Sequence, residues 1–183
     1  EARTVFGELK SYQYMQFIPC LDRLDGTLAP YSLDPKTYGR FLIETYDLYE
    51  EALLNGEELS VRHFDNYLQM VQGYPPEGCA MSGTCAPYFL AEADGSIFPC
   101  DFYALDQNKL GNIHEASFFK LSKTERAKEF LAESIQKPQQ CMTCRWFGLC
   151  RNGCKRERPE GEDMFGVNQW CDSYMAFFDA RGE

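Results

Sequence analysis

The most regular alternation of hydrophobic and polar residues in this chain lies between Asp34 and Asn55. Apolar residues and one threonine recur there at the spacing of one helical face: Tyr38, Phe41, Leu42, Thr45, Leu48, Tyr49, Ala52 and Leu53. Asp34 can cap the N-terminus with Pro35 as the first helical residue, and Asn55-Gly56 is typical of a helix end. The pattern therefore predicts one long amphipathic helix.

Apolar segments on both sides of this helix predict strands. The segment from Tyr12 to Cys20 is aromatic and aliphatic, and it predicts a buried strand. A second, short strand is predicted from Leu59 to Phe64, followed by a helix through Val71 that Asp65 could cap. Because strand, long helix and strand form the repeating unit of an α/β fold, we predict that class for this part of the chain.

The composition changes near Gly73. A linker-like break rich in proline and glycine follows, and the first of a series of cysteines comes directly after it. We therefore predict two domains, residues 1–72 and residues 73–183. In the second, Asp94-Gly95 is a strong signal for a hairpin turn between strands at 88–92 and 96–99.

Further along the second part, two short helices are predicted at 116–121 and 124–134. Beyond Pro138 the chain is loop-rich and dense in cysteine. This last segment has too few apolar residues for a core of its own, so we expect metal centres to order it.

Composition and charge narrow the class of protein. Of 183 residues, 44% are hydrophobic and 15% aromatic, which allows a packed core. The net charge of −10 argues against nucleic acid as a partner, because an acidic surface repels phosphate. No apolar run reaches the length of a membrane span.

The chain begins with Glu1-Ala2-Arg3, which has neither an initiator methionine nor the features of a secretion signal. We expect a piece of a longer protein. Nine cysteines in a chain without such a signal favour a reducing cytoplasm and metal ligation over disulfides.

Eight of these nine cysteines lie between residues 79 and 171. A C-x9-G-x4-C unit and a C-x2-C-x5-C-x3-C run contain six of them, with one cysteine before and one after: Cys79, Cys85, Cys100, Cys141, Cys144, Cys150, Cys154 and Cys171. Because a [4Fe–4S] cluster needs four thiolates, eight cysteines can supply two complete sets. Clusters ligated in this way leave no open iron for a substrate, so they transfer electrons.

Zinc is the main alternative from spacing alone. Two zinc ions in all-thiolate tetrahedral sites would also use eight cysteines. Zinc ribbons usually combine two C-x2-C pairs, whereas this run has only one, so the spacing favours iron–sulfur clusters. Disulfides come third, because nothing indicates secretion.

The cysteine pattern resembles the SPASM domain, which is appended to radical S-adenosylmethionine enzymes that modify peptides and proteins. Several stretches resemble the anaerobic sulfatase-maturating enzymes in particular: Cys79 six residues before Cys85, GTC at 83–85, DGSIFPCDFY at 94–103, LGNI at 110–113, CRWFGLCRNGCKRER at 144–158 and QFIPC at 16–20. The family's C-x3-C-x2-C loop is absent. The chain therefore resembles the C-terminal part of such an enzyme, and we expect it to be inactive by itself.

The resemblance implies a fold and two sets of cluster ligands. Residues 1–72 would form the C-terminal portion of a partial (β/α)6 radical-SAM barrel, and residues 73–183 a loop-rich α+β SPASM domain. Auxiliary cluster I would be held by Cys79, Cys85, Cys100 and Cys154. Auxiliary cluster II would be held by Cys141, Cys144, Cys150 and Cys171.

The resemblance also implies an activity, which is oxidation of a serine or cysteine of a sulfatase to Cα-formylglycine. The complete enzyme would bind S-adenosylmethionine and a third [4Fe–4S] cluster. Its partners would be a sulfatase with a Cys/Ser-x-Pro-x-Arg motif and an electron donor such as flavodoxin or ferredoxin. Two alternatives stay open: a SPASM maturase that makes thioether or carbon–carbon crosslinks, and a non-catalytic zinc-binding interaction module.

Asp101 corresponds to the position of the family's catalytic base, which would take a proton from the oxidised side chain. Without the resemblance, Asp101 is an exposed or capping aspartate.

Three other groups received simpler interpretations. Cys20 is expected to be buried in the barrel, since a free cysteine packs well in apolar surroundings. His63 and His114 are interpreted as structural or surface histidines. A basic cluster could temper the charge of cluster-bound thiolates or could simply be solvated: Arg145, Arg151, Lys155, Arg156 and Arg158.

Overall fold

The computed structural model describes residues 1–24, 27–86, 88–159 and 165–182. Its α-helices are α1 (Ala2–Leu9), α2 (Pro35–Leu54), α3 (Arg62–Val71), α4 (Cys79–Ser82), α5 (Phe118–Leu121), α6 (Glu125–Ile135), α7 (Gln139–Met142), α8 (Phe147–Cys150) and α9 (Cys171–Arg181). Its strands are β1 (Tyr14–Met15), β2 (Ser60–Val61), β3 (Leu90–Ala91), β4 (Ser96–Phe98) and β5 (Gly111–Asn112). Short 3₁₀ turns lie at Lys10–Tyr12, Asp101–Tyr103, Asp106–Asn108 and Lys155–Glu157.

Helix α2 confirms the prediction from the hydrophobic pattern, including both of its ends. The Asp34 carboxylate accepts a hydrogen bond of 2.8 Å from the Thr37 amide, as an N-cap should. At the other end, Gly56 adopts a φ of +78°, which glycine tolerates without strain. Helix α2 therefore begins and ends where its local signals place it.

Strands β1 and β2 pair in parallel, with Tyr14 opposite Ser60 and Met15 opposite Val61. Together with α2 they form the predicted strand–helix–strand unit. The prediction of a buried strand from Tyr12 to Cys20 was wrong in length and in burial. Only Tyr14 and Met15 pair as a strand, and Tyr14 is 81% exposed. The extended segment buries only alternate side chains, which face the core.

Helix α3 begins at Arg62, three residues before the predicted cap. Asp65 therefore lies inside its first turn. Its carboxylate instead accepts a hydrogen bond of 2.5 Å from the Tyr49 hydroxyl, and it also contacts the Ser60 hydroxyl. This aspartate ties α2, β2 and α3 together.

The second sheet is antiparallel, in the order β3-β4-β5. The predicted hairpin is confirmed: Gly95 has a φ of +83°, and the Asp94 carboxylate accepts a hydrogen bond of 2.9 Å from the Ser96 amide. Strand β5 was not predicted, because two residues are too short for an alternating pattern. A small core lies against this sheet: Ile97, Leu110, Leu121 and Ala127.

Both predicted short helices are present, as α5 and α6. The Thr124 hydroxyl accepts a hydrogen bond of 3.3 Å from the Ala127 amide and so caps α6. Helix α6 carries Ser134, whose hydroxyl accepts a hydrogen bond of 2.8 Å from the Cys85 amide. Through this contact α6 holds the loop that presents Cys85.

The main core is rich in aromatic side chains and lies between α2 and α9. Its buried members are Phe6, Met15, Phe17, Tyr38, Leu42, Tyr49, Val61, Phe64, Trp170, Tyr174, Phe177 and Phe178. The rings of Tyr38 and Trp170 meet edge to face with their centroids 5.2 Å apart. Apolar residues beyond Pro138 therefore pack into a core that they share with the first part of the chain, and the expectation that metal centres order this segment stays a prediction.

This core contains residues from both sides of the predicted boundary between residues 72 and 73. The division into two domains stays a prediction. Within the described ranges, no helix combines the length and the apolar character that crossing a membrane requires.

Candidate metal centres

Four of the cysteines approach one another around the hairpin. Cys79 opens α4, Cys85 follows it, Cys100 comes two residues after β4, and Cys154 precedes the turn at Lys155–Glu157. Burial, together with the hydrogen bond and charge of Asp101 and the charge of Cys85, raises the pKa of Cys100 to about 12. Burial, together with the charges of Glu157, Cys79 and Cys85, likewise raises the pKa of Cys154 to about 12. We call these four side chains set I.

The other four cysteines line one cavity of about 510 Å³, whose wall also includes Trp146, Tyr174 and Met175. We call them set II: Cys141, Cys144, Cys150 and Cys171. Burial, together with the charges of the other three thiols of the set, raises the pKa of Cys150 to about 12. Burial and its neighbours within the set also raise the pKa of Cys171.

The two sets are grouped as the sequence resemblance implied, and their roles as cluster ligands stay a prediction. The thiol neighbours that most raise each pKa belong to the same set. Segments far apart in sequence meet in both, since Cys154 joins the hairpin cysteines and Cys171 joins the C-x2-C loop. The assignment of each thiol to one of the two clusters stays a prediction.

The chemistry of these donors fits iron–sulfur clusters. Each set offers four thiols, and all nine cysteines of the chain are free of disulfides. Soft thiolate ligands select iron–sulfur clusters, zinc or copper(I). Burial and neighbouring thiols raise the pKa values of six of these groups, so bound metal is needed to hold them as thiolates: Cys79, Cys100, Cys154, Cys141, Cys150 and Cys171.

Among the residues that the structure describes, no three histidine, cysteine, aspartate or glutamate side chains converge closely enough to hold one metal ion. A four-iron cluster does not require such convergence. Each of its four thiolates binds a different iron, so the sulfur atoms surround a larger body than a single ion.

Asp101 lies at the edge of set I, in the 3₁₀ turn directly after Cys100. Its carboxylate accepts a hydrogen bond of 3.1 Å from the Phe102 amide, and the Cys100 thiol lies 3.3 Å from the same oxygen. The side chain is exposed. It therefore combines contact with a proposed ligand with access to a molecule outside the chain.

Cys20 is exposed in this chain, so the prediction of a buried barrel cysteine is wrong. It lies at the end of the extended segment after β1, where alternate side chains point away from the core.

The basic cluster predicted from sequence divides into different environments. Lys155 is 2% exposed, pairs with the Glu133 carboxylate, and has its ammonium 3.9 Å from the ring centroid of Phe130. Arg158 is 3% exposed and binds backbone carbonyls. Lys137, which sequence reasoning did not single out, donates to the Gly83 and Ser134 carbonyls that Arg158 also binds.

Comparison with known proteins relates the cysteine-rich part of the chain to an iron–sulfur domain. Residues 85–145 match the SPASM family model, described as an iron–sulfur cluster-binding domain. The cysteine-type anaerobic sulfatase-maturating enzyme of Clostridium novyi (strain NT) is 38% identical over 177 residues, which cover 95% of this chain and 47% of that enzyme. The cysteine-type enzyme of Clostridium perfringens (strain 13 / Type A) is 40% identical over 173 residues, covering 93% of this chain and 47% of that enzyme.

A solved structure described as native anSMEcpe with bound AdoMet and Cp18Cys peptide shares the fold. It matches with a TM-score of 0.91 and 40% identity over 98% of this chain and 52% of that one. The chain spans about half the length of the curated relatives it matches. By sequence and by fold, the chain is similar over nearly its whole length to anaerobic sulfatase-maturating enzymes, and its residues 85–145 match the SPASM type of iron–sulfur cluster-binding domain.

Proposed function

We propose that this chain holds two [4Fe–4S] clusters, one ligated by the thiols of set I and the other by those of set II. The observation that carries the proposal is the grouping of eight cysteines into two sets of four, one of which lines a single cavity. When bound, the clusters would supply electron transfer.

The proposed activity is oxidation of a cysteine of a sulfatase to Cα-formylglycine by the enzyme to which this chain contributes. Two relatives at 38% and 40% identity are both of the cysteine type, which favours cysteine over serine as the target. On this proposal, residues 1–72 form part of the wall of a radical-SAM barrel. S-adenosylmethionine and a third [4Fe–4S] cluster would be bound outside this chain.

Asp101 is the proposed catalytic base. Oxidation of the target would remove two hydrogens in three parts. The hydrogen atom from Cβ would go to the 5′-deoxyadenosyl radical that S-adenosylmethionine supplies in the complete enzyme, the proton would leave the sulfur, and the one further electron would pass to a cluster. The resulting thioaldehyde takes up water and releases hydrogen sulfide to give the aldehyde. The exposed Asp101 carboxylate can take the proton at the edge of set I, next to the proposed ligand Cys100.

The proposed partners follow from this activity. The substrate would be an extended sulfatase segment with a Cys/Ser-x-Pro-x-Arg motif. An electron donor such as flavodoxin or ferredoxin would supply electrons. Nine cysteines without a disulfide favour the reducing cytoplasm as the compartment.

Iron and acid-labile sulfide analysis with EPR spectroscopy tests the cluster proposal on protein purified and reconstituted without oxygen. We expect about eight irons with matching sulfide for this chain, and reduced signals from two [4Fe–4S] centres. About two zinc ions without sulfide, persisting after reconstitution, would instead support the interaction module.

Mass spectrometry of a sulfatase peptide tests the activity. Incubation with the complete enzyme, S-adenosylmethionine and a reductant should give a product that forms a hydrazone adduct at the target residue. A product crosslinked between two residues, with no carbonyl, would point to a different SPASM maturase.

A further inference from the structure

Two cations, Lys137 and Arg158, lie side by side and share two backbone acceptors. The Gly83 carbonyl accepts from the Lys137 ammonium at 2.7 Å and from the Arg158 guanidinium at 2.6 Å. The Ser134 carbonyl accepts from the same two groups at 2.6 Å and 2.9 Å. We call this pair of side chains the cationic bridge.

The remaining donors of Arg158 also bind carbonyl oxygens. Its Nε donates to Asn152 at 2.9 Å, and its guanidinium donates to Gly153 at 2.6 Å. These four carbonyl oxygens accept hydrogen bonds from Arg158, but they are uncharged and do not neutralise its positive charge. In the part of the chain that the structure describes, neither the buried Arg158 nor the half-buried Lys137 makes an ion pair, whereas the buried Lys155 pairs with Glu133.

The location of the bridge relates it to both sets. Lys137 lies four residues before Cys141, and Arg158 lies four residues after Cys154. The Gly153 and Gly83 carbonyls that hold Arg158 belong to the loops that present Cys154 and Cys85. The bridge therefore lies where the loops of set I approach the segment leading into set II.

The electrostatic neighbours of the bridge agree with this placement. Burial lowers the pKa of Arg158, and nearby negative charges raise it. In decreasing order of effect, these charges belong to Cys154, Cys85, Cys141 and Glu157. For Lys137, they are those of Cys141 and Cys85. Thiols of both sets thus interact with each cation, and for Arg158 they do so more strongly than the one carboxylate.

A buried cation such as Arg158, with the half-buried Lys137 beside it, is costly unless negative charge lies nearby. Four cluster-bound thiolates on each side would provide that charge. When a cluster is reduced, one electron enters it and no bond forms or breaks, so its negative charge increases. A fixed cation next to the cluster stabilises the reduced form more than the oxidised form, because cluster potentials depend on local charge and hydrogen bonding.

We infer that Lys137 and Arg158 act together as positioning residues for electron transfer, raising the reduction potentials of both clusters from one shared location. This inference rests on the proposed function, since it requires clusters at both sets.

The test is an EPR-monitored redox titration with dithionite at pH 7, on reconstituted wild-type protein and the Lys137→Gln variant. Burial lowers the pKa of Lys137 only to about 8, so the wild-type side chain is charged at this pH. At a fixed potential, we expect the ratio of reduced to oxidised cluster to be about tenfold lower in the variant for both clusters. This corresponds to a reduction potential lower by about 59 mV for a one-electron couple. Arg158→Gln should shift both clusters in the same direction.

Two control variants separate charge from structure. Lys137→Arg keeps the charge and should titrate like wild type. Lys128→Gln removes an equal charge from an exposed pair with Glu125 on α6 and should leave both potentials unchanged.

Each outcome is decisive. Wild-type potentials in Lys137→Gln, with iron content intact, would overturn the inference and leave the proposed function standing. If Lys137→Gln loses iron and Lys137→Arg keeps it, the result would support a role for the charge of Lys137. If both single variants lose iron, the result would overturn the inference. Wild-type protein without clusters would refute the proposed function and the inference with it.

Discussion

Gly39 and Ser173 touch where α2 crosses α9. A Cβ atom added to Gly39 would lie 3.1 Å from the Ser173 Cα and 3.4 Å from its carbonyl oxygen. The Ser173 hydroxyl donates a hydrogen bond of 2.6 Å to the Pro35 carbonyl at the start of α2. The absence of a side chain at Gly39 therefore lets the two helices approach closely enough to close the aromatic core between them.

Replacing this glycine should lower the free energy of unfolding. In Gly39→Ala the added methyl group meets backbone atoms of α9, and overpacking of this kind costs about 1–3 kcal/mol. Gly7→Ala on α1 is the matched control, because nothing lies within 4 Å of its added Cβ. The control should gain about 0.5–1 kcal/mol from helix propensity. Urea unfolding measures both, and equal stabilisation by the two substitutions would contradict the close contact.

The buried ammonium of Lys155 depends on the Glu133 carboxylate. Glu133→Gln should destabilise the protein, since removing one partner of a buried pair costs up to about 3–5 kcal/mol and the nearby aromatic rings retain part of the interaction. Glu125→Gln, in an exposed pair on the same helix, should cost less than about 1 kcal/mol. Equal losses in the two variants, measured by urea unfolding, would contradict this role of Glu133.

The stabilising effect of Glu133 should depend on pH. Hydrogen bonds from Lys155 and Arg126 outweigh burial and lower the pKa of Glu133 from its ordinary value of 4.5. A carboxyl group with a lowered pKa stabilises the folded state fully above its unfolded pKa, and this contribution disappears as the pH falls through the folded pKa. The stability difference between wild type and Glu133→Gln should therefore be constant above about pH 5 and shrink in more acidic solution.

Substitution of single cysteines should separate the two clusters. Cys85→Ser and Cys144→Ser should each reduce iron content to about half, because each removes one of the four ligands of a different [4Fe–4S] cluster. The EPR signal that disappears should differ between them. Cys20→Ser is the control and should retain all iron, since Cys20 is exposed and belongs to neither set. Loss of the same signal in Cys85→Ser and Cys144→Ser would contradict the division into two sets.

Asp101→Asn should abolish aldehyde formation in the complete enzyme while leaving iron content unchanged. The amide keeps the size of the side chain but cannot take the proton released during oxidation. Asp106→Asn, in the next 3₁₀ turn, is the matched control and should retain activity. Turnover at the wild-type rate by Asp101→Asn, measured by mass spectrometry of the peptide, would eliminate Asp101 as the base.

The sequence by itself determined the elements whose signals are local. Asp34-Pro35 and Asn55-Gly56 placed both ends of α2, because capping groups and glycine act on neighbouring backbone atoms. Asp94-Gly95 located the hairpin for the same reason. The number of cysteines was sufficient to propose two sets of four thiols, since ligand number and type are properties of the residues themselves, and the resemblance to a known family implied which cysteine belongs to which set.

Tertiary structure decided what depends on atoms brought together from distant segments. A local sequence pattern does not predict three features of this fold: the packing of α9 on α2, the two-residue strand β5 and the first turn of α3. The convergence of Lys137 and Arg158 on the Gly83 and Ser134 carbonyls leaves none, because every residue carries a carbonyl group. Only the folded chain determines which of these carbonyls meet at one place and hold two cations between the sets of thiols.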